Sequence, residues 1–239
     1  MFPITVDSAR STSPAAPAPA LKGETRIQDP GRSGQAIARR AAEARATVPD
    51  LELEMTVDAQ PMIDLARTCG CSHTAVLVRA CALALRDSPY ANAAYRDGRY
   101  ELYSRVNIAV TVVTGDGQLT PTVLDADTKS LGEISEEIER LAHRARSGEL
   151  TPPEQAGATF TVSDLGALGV HRWSLPVTPP QAAALTAGAV REAAVVRDGR
   201  LVAGYERQIA LACDHRILFG ARAAGLLTRV AQLLETVTP

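Results

Sequence analysis

The sequence predicts an α/β protein built as a two-layer mixed β-sheet with flanking helices. Three observations carry that expectation. Strand-like and helical stretches are interleaved along the whole chain, and elements mixed in this way pack as layers. Asp97-Gly98 and Asp198-Gly199 each separate strand-like residues and read as tight hairpin turns. The 239 residues are 46% hydrophobic and contain no internal repeat, which suits a layered domain with a large core.

The elements follow in order. Residues 1–30 are rich in Pro, Ala, Ser and Thr, and predict a flexible, semi-extended N-terminal tail. Residues 31–239 read as one domain. Gln35 to Ala46 has helical periodicity. Leu51, Leu53 and Met55 alternate with Glu52 and Glu54, the pattern of a half-buried strand. Asp58 is placed to cap a helix that runs to Thr68, with Pro61 in its first turn and Gly70 past its end. Thr74 to Arg86 is nearly all apolar and predicts a buried helix, stopped by Pro89. Val106–Thr114 and Leu119–Leu124 read as strands around a Gly-Asp-Gly loop. Ser130 and Glu133 form a capping box that opens a helix to about Arg146, with Ile134, Ile138, Leu141 and Ala145 on its buried stripe. Strands are predicted at 159–163, 182–188, 193–197, 200–206 and 208–213. A last helix, Ala221 to Glu235, should bury Leu226, Leu227, Val230, Leu233 and Leu234.

Bulk properties exclude several function classes. A net charge of -2, from 25 basic and 27 acidic residues with no long basic block, argues against a nucleic-acid partner. No apolar run approaches membrane-spanning length, and the first residues lack the apolar core of a signal peptide. The expectation is a cytoplasmic protein with no membrane partner. Cys81 and Cys213 lie in apolar runs and read as core residues. Cys69 and Cys71 form a lone C-x-C beside His73. That is too few ligands for zinc, so the reading is a packed turn and no metal.

The chemistry concentrates in Cys213-Asp214-His215-Arg216-Ile217-Leu218-Phe219-Gly220. His215 ends an apolar strand-like run, where a rigid scaffold can present a side chain suited to moving a proton near neutral pH. An isolated histidine of this kind is more often a satisfied structural residue, but here the flanks reverse the odds. The segment resembles the active-site motif of the dihydrolipoamide acyltransferases of 2-oxoacid dehydrogenase complexes, Asp-His-Arg-x-x-Asp-Gly. Thr159-Phe160-Thr161-Val162-Ser163-Asp164-Leu165-Gly166 resembles the family's Phe-Thr-Ile-Ser-Asn-Leu-Gly and lies 52 residues before His215, counted from Ser163. Val177-Thr178-Pro179-Pro180-Gln181 resembles its Ile-Asn-Pro-Pro-Gln. Gln35–Arg40, Ala91-Asn92-Ala93 and Ala126–Ile134 agree as well, so the resemblance covers 31–239.

The resemblance implies the chloramphenicol acetyltransferase fold and a homotrimer whose active sites lie between subunits. It implies His215 as general base and Ser163 as donor to the oxyanion of a tetrahedral intermediate. Acyl-CoA, most simply acetyl-CoA, would be the co-substrate, with no permanently bound cofactor. Thr178 and Asp164 are placed near the acyl-CoA channel. Phe219 departs from the motif, because it replaces a polar residue that helps to fix the family's site. Asp214 and Arg216 are candidates to support His215 in its place.

No lipoyl or peripheral-subunit-binding domain is recognisable in these residues, so the first expectation is a stand-alone acyltransferase. Its acceptor would be a hydroxyl of a small-molecule or carrier-protein-bound natural-product intermediate, with a tetronate as one candidate. The alternatives are the catalytic core of a 2-oxoacid dehydrogenase complex acylating dihydrolipoamide, and a non-catalytic trimeric scaffold. The weakly apolar Thr236-Val237-Thr238-Pro239 predicts a lone trimer rather than a larger shell.

Overall fold

The computed structural model describes residues 23, 25–115, 117–197 and 199–236. Most of the predicted tail and residues 237–239 lie outside the described residues. The principal sheet takes β1 (Asp50–Asp58), β11 (Arg200–Asp214), β9 (Ala183–Ala187), β8 (Phe160–Asp164), β4 (Ile108–Val110) and β7 (Thr122–Val123) in that order, with β10 (Arg191–Arg197) also paired to β11. It is mixed: β8 runs parallel to β4 and β9, and the other pairs are antiparallel.

Helices α2 (Gln60–Cys69), α3 (His73–Asp87), α4 (Leu131–Ser147) and α5 (Gly220–Thr236) form the second layer. Their apolar stripes and one sheet face make a single core that includes Leu77, Ile134, Phe160, Leu211 and Leu226. In α4, Ile134, Ile138, Leu141 and Ala145 are buried as expected, and both halves of the Ser130/Glu133 capping box are present. In α5, Leu226, Leu227, Val230 and Leu234 are buried, while Leu233 is only half-buried. The other sheet face carries small and polar residues. Helix α1 (Arg32–Thr47) and the segment around Val177 lie on that side, where Val48, Val177 and Ala212 form a separate apolar cluster.

Four local expectations are corrected. Val106–Thr114 is not one strand. After β4 the chain leaves the sheet, and β5 (Val112–Thr114) pairs with β6 (Gly117–Leu119) while Val112 packs on Ala142 and Ala145 of α4. Residues 200–206 and 208–213 are one strand, because β10 pairs with its first half and β1 and β9 with its second. The N-cap of α2 is Ala59, since Asp58 is still paired within β1; its carboxylate nonetheless accepts from the Gln60 N–H at 2.9 Å. Cys69 and Cys71 are joined as a disulfide across the turn that Gly70 makes at φ 66°.

The Asp97-Gly98 turn links β2 (Ala93–Arg96) to β3 (Arg99–Leu102), with φ of 50° and 75°. Positive φ at both positions matches the twist of the flanking strands. Among the described residues no single helix is long and apolar enough to cross a membrane, and no group of His, Cys, Asp or Glu is arranged to hold a metal ion.

Candidate active site

His215 sits on the turn between β11 and α5. Asp214 builds that turn. Its backbone carbonyl accepts from the N–H groups of Ile217 and Leu218, and its buried carboxylate accepts from the Arg216 N–H and guanidinium at 2.6–3.2 Å. The same carboxylate holds the Arg216 guanidinium above its ordinary pKa. Arg216 stacks on the Tyr95 ring at 4.8 Å, and the Tyr100 hydroxyl donates to the Arg216 carbonyl at 3.0 Å. Asp214 and Arg216 therefore shape the backbone that carries His215, and neither carboxylate nor guanidinium bonds the imidazole.

The His215 backbone N–H donates to the Pro49 carbonyl at 2.9 Å, and its side chain is exposed. Among the described residues the ring has no hydrogen-bond partner. Its aromatic neighbour is Phe219, with centroids 6.2 Å apart and planes at 68°. Phe219 lies four residues on, immediately before α5, and is 49% exposed.

Ser163 has the opposite character. It is 1% exposed, and its hydroxyl makes no hydrogen bond. A buried hydroxyl without a partner is rare, because it carries an unrecovered desolvation cost. Along β8, Thr161 and Ser163 point away from the core face occupied by Phe160 and Val162. Thr161 donates to the Gln181 side chain at 2.7 Å and lines a cleft of about 360 Å³ with Ala44, Thr178, Pro179 and Pro180. Thr178 is thus on a cleft that reaches the strand of Ser163.

Asp164 faces the other way. Its carboxylate accepts from the Thr74 hydroxyl at 3.0 Å, from the Gly166 N–H at 2.9 Å and from Arg207, a fully buried guanidinium that also donates to the Gly188 carbonyl at 2.7 Å. These bonds tie β8 to α3 and β11, so Asp164 braces the fold and does not line the Thr178 cleft. Removing one member of such a pair leaves the other charge buried alone. Asp164→Ala is therefore expected to destabilise the protein by about 3–5 kcal/mol, measured by urea unfolding; a loss below about 1 kcal/mol would refute this account of the pair.

The two free cysteines, Cys81 and Cys213, are unreactive by environment. Burial raises the Cys81 thiol well above its ordinary value, and burial followed by the Asp214 charge pushes Cys213 up to about 12.

Within one chain His215 and Ser163 do not meet. Ser163 is in register with Thr186, which is in register with Ala210, five residues short of His215. At about 3.3 Å per residue and about 4.8 Å per strand, the two side chains stand roughly 20 Å apart. One substrate carbonyl cannot touch both.

Relatives supply the frame for this geometry. Residues 23–239 match the model of the 2-oxoacid dehydrogenases acyltransferase (catalytic domain). The chain is 34% identical over 208 residues to the mitochondrial dihydrolipoyllysine-residue acetyltransferase component of the pyruvate dehydrogenase complex from Dictyostelium discoideum, covering 83% of this chain and 33% of that protein. It is 34% identical over 212 residues to the corresponding component from Rhizobium meliloti, covering 83% and 47%. The chain thus spans half or less of the length of these relatives.

Its fold superposes on the Azotobacter vinelandii dihydrolipoamide acetyltransferase with a TM-score of 0.85, at 26% identity, covering 94% of this chain and 97% of that one. A chloramphenicol acetyltransferase matches at 18% identity and a TM-score of 0.55, covering 82% and 94%, which shows the shared fold. The Azotobacter enzyme was studied for the role of a serine, a histidine and an asparagine in its catalytic mechanism. Those residues are spaced 52 and four apart, as are Ser163, His215 and Phe219 here. The chain belongs to the family of 2-oxoacid dehydrogenase acyltransferase catalytic domains and has the chloramphenicol acetyltransferase fold.

Proposed function

We propose that His215 and Ser163 together catalyse acyl transfer from acyl-CoA, most simply acetyl-CoA, to a thiol or hydroxyl acceptor. The observation that carries this reading is the pairing of an exposed histidine with a buried, unpartnered serine hydroxyl at the spacing of the Azotobacter catalytic pair. His215 takes the acceptor's proton as the acceptor sulfur or oxygen bonds to the thioester carbonyl carbon. The carbonyl oxygen becomes an oxyanion, and the Ser163 O–H, with no bond of its own to break, donates to it. The intermediate collapses, the carbon–sulfur bond to CoA breaks, and the imidazolium returns its proton to the departing thiolate. Acetyl-CoA is consumed as co-substrate.

Because one chain holds the two groups roughly 20 Å apart, the site is completed by Ser163 of a neighbouring copy. A trimer is the arrangement proposed, in keeping with closed threefold symmetry. Light scattering is expected to give about three times the 25.2 kDa chain mass, or a multiple of that trimer. The solved cubic core of a pyruvate dehydrogenase complex, 27% identical with a TM-score of 0.85, gives the larger assembly precedent. A monomer that turns over at full rate would defeat the shared site.

The relatives favour the dihydrolipoyl thiol as acceptor over the tetronate hydroxyl first expected. Phe219 in place of the Azotobacter asparagine keeps a small-molecule hydroxyl as the second reading. A CoA-release assay with acetyl-CoA decides between them. Release with dihydrolipoamide supports the first, release only with alcohols supports the second, and none with either acceptor class leaves the scaffold reading.

A further inference from the structure

The chemistry above leaves Arg222 unused, although it stands beside His215. Its guanidinium lies 4.2 Å from the Tyr90 ring centroid and 5.9 Å from that of Phe219, whose centroid is 6.2 Å from the imidazole. Arg222 is therefore within about 12 Å of His215. Among the described residues it has no carboxylate within ion-pair reach and makes no hydrogen bond; the nearby Asp87 is taken by Arg229 at 2.9 Å. Tyr90 is itself fixed edge-on to Tyr100 at 5.8 Å, and Tyr100 bonds the turn that carries His215.

A guanidinium resting over an aromatic ring leaves its N–H donors available to a further partner. Their planar fork matches a carboxylate, which it can bind bidentately. Arg222 also rims a cleft of about 310 Å³ with Leu218 and Leu226 at its floor and Asp87, paired with Arg229, on its edge, so Arg222 offers the one unpaired cation beside apolar walls among the described residues of that cleft.

We infer that Arg222, held by Tyr90 and Phe219, selects an acyl acceptor that carries a carboxylate within about 12 Å of its reacting thiol or hydroxyl. This rests on the reading of His215 as the base of acyl transfer and on the second, small-molecule reading of the acceptor, because a dihydrolipoyllysine acceptor carries an amide where Arg222 would meet a carboxylate. It assigns Phe219 a use: the ring that replaces a polar motif residue becomes part of the wall that positions the anchor.

The test uses two acceptors with the same dithiol, dihydrolipoate and dihydrolipoamide, which differ in a carboxylate against a carboxamide. With acetyl-CoA, kcat/KM is expected to be about 10-fold or more higher for the acid. Arg222→Gln should bring the ratio near one by slowing the acid alone, and Arg222→Lys should retain part of the preference. A ratio of one in the wild type, or an unchanged ratio in Arg222→Gln, overturns the inference while leaving acyl transfer intact. Calorimetric titration with octanoate and octanamide gives a readout without turnover. If neither thiol is acylated but octanoate binds, octanamide does not, and Arg222→Gln abolishes the difference, the anchor stands and the acyl-transfer reading fails. Equal binding of octanoate and octanamide overturns the anchor in either case.

Discussion

His215→Ala is expected to lower turnover by about 10²–10⁴-fold, the range a positioned general base supplies, while leaving the fold unchanged. The two halves of that expectation come from different atoms. The side chain is exposed and holds nothing in place, while the structural contact of the residue is its backbone N–H to the Pro49 carbonyl, which alanine keeps. The turn itself is built by Asp214 and Arg216, which the substitution does not touch. Turnover is read by CoA release and folding by thermal unfolding. A variant within a few-fold of wild type would remove His215 from the mechanism. A variant that loses several degrees of melting temperature would show that the ring, through its edge contact with Phe219, contributes to packing after all.

Much of the fold was legible because its signals are local. Alternation marked β1, a capping box marked α4, and Asp97-Gly98 marked the first hairpin, each within a few residues. What failed depends on distant partners. Nothing in Val106–Thr114 announces that Val112 will leave the sheet for Ala142 and Ala145, because that switch is decided by α4. The continuity of β11 depends on β10, β1 and β9 relaying along it, and no window of sequence contains all four strands.

The candidate site divides in the same way. Motif and spacing nominate His215 and Ser163, and adjacency nominates Asp214 and Arg216. The resemblance sets Asp164 near the channel, whereas the structure pairs it with Arg207, 43 residues away, and strand parity, which turns it from Ser163, is the local signal for that. No motif singles out Arg222, although it lies three residues after Phe219 in the first turn of α5. Tyr90, which holds it, carries no local signal at all.

Ser163→Ala is expected to slow turnover by about 10²–10³-fold, the loss typical of one oxyanion donor, and at the same time to raise stability slightly. The second effect separates a catalytic hydroxyl from a structural one. A structural serine loses a hydrogen bond when truncated, whereas Ser163 has none to lose. Burying an unsatisfied hydroxyl costs about 1–3 kcal/mol, so deleting it should return part of that to the folded state. A site that keeps such a group sacrifices stability for function. The position of the hydroxyl, roughly 20 Å from His215 of its own chain by strand geometry, then makes a quantitative demand. If each site takes histidine from one subunit and serine from the next, Ser163→Ala and His215→Ala chains that are each nearly inactive must complement. Co-refolded in equal amounts, they place an intact histidine opposite an intact serine at about a quarter of the interfaces of a cyclic trimer. Turnover should recover to about that fraction of the wild-type value, and should fall again as either variant is put in excess. Verified mixed trimers that recover nothing would require both groups to act within one chain, against the register that holds Ser163 level with Ala210.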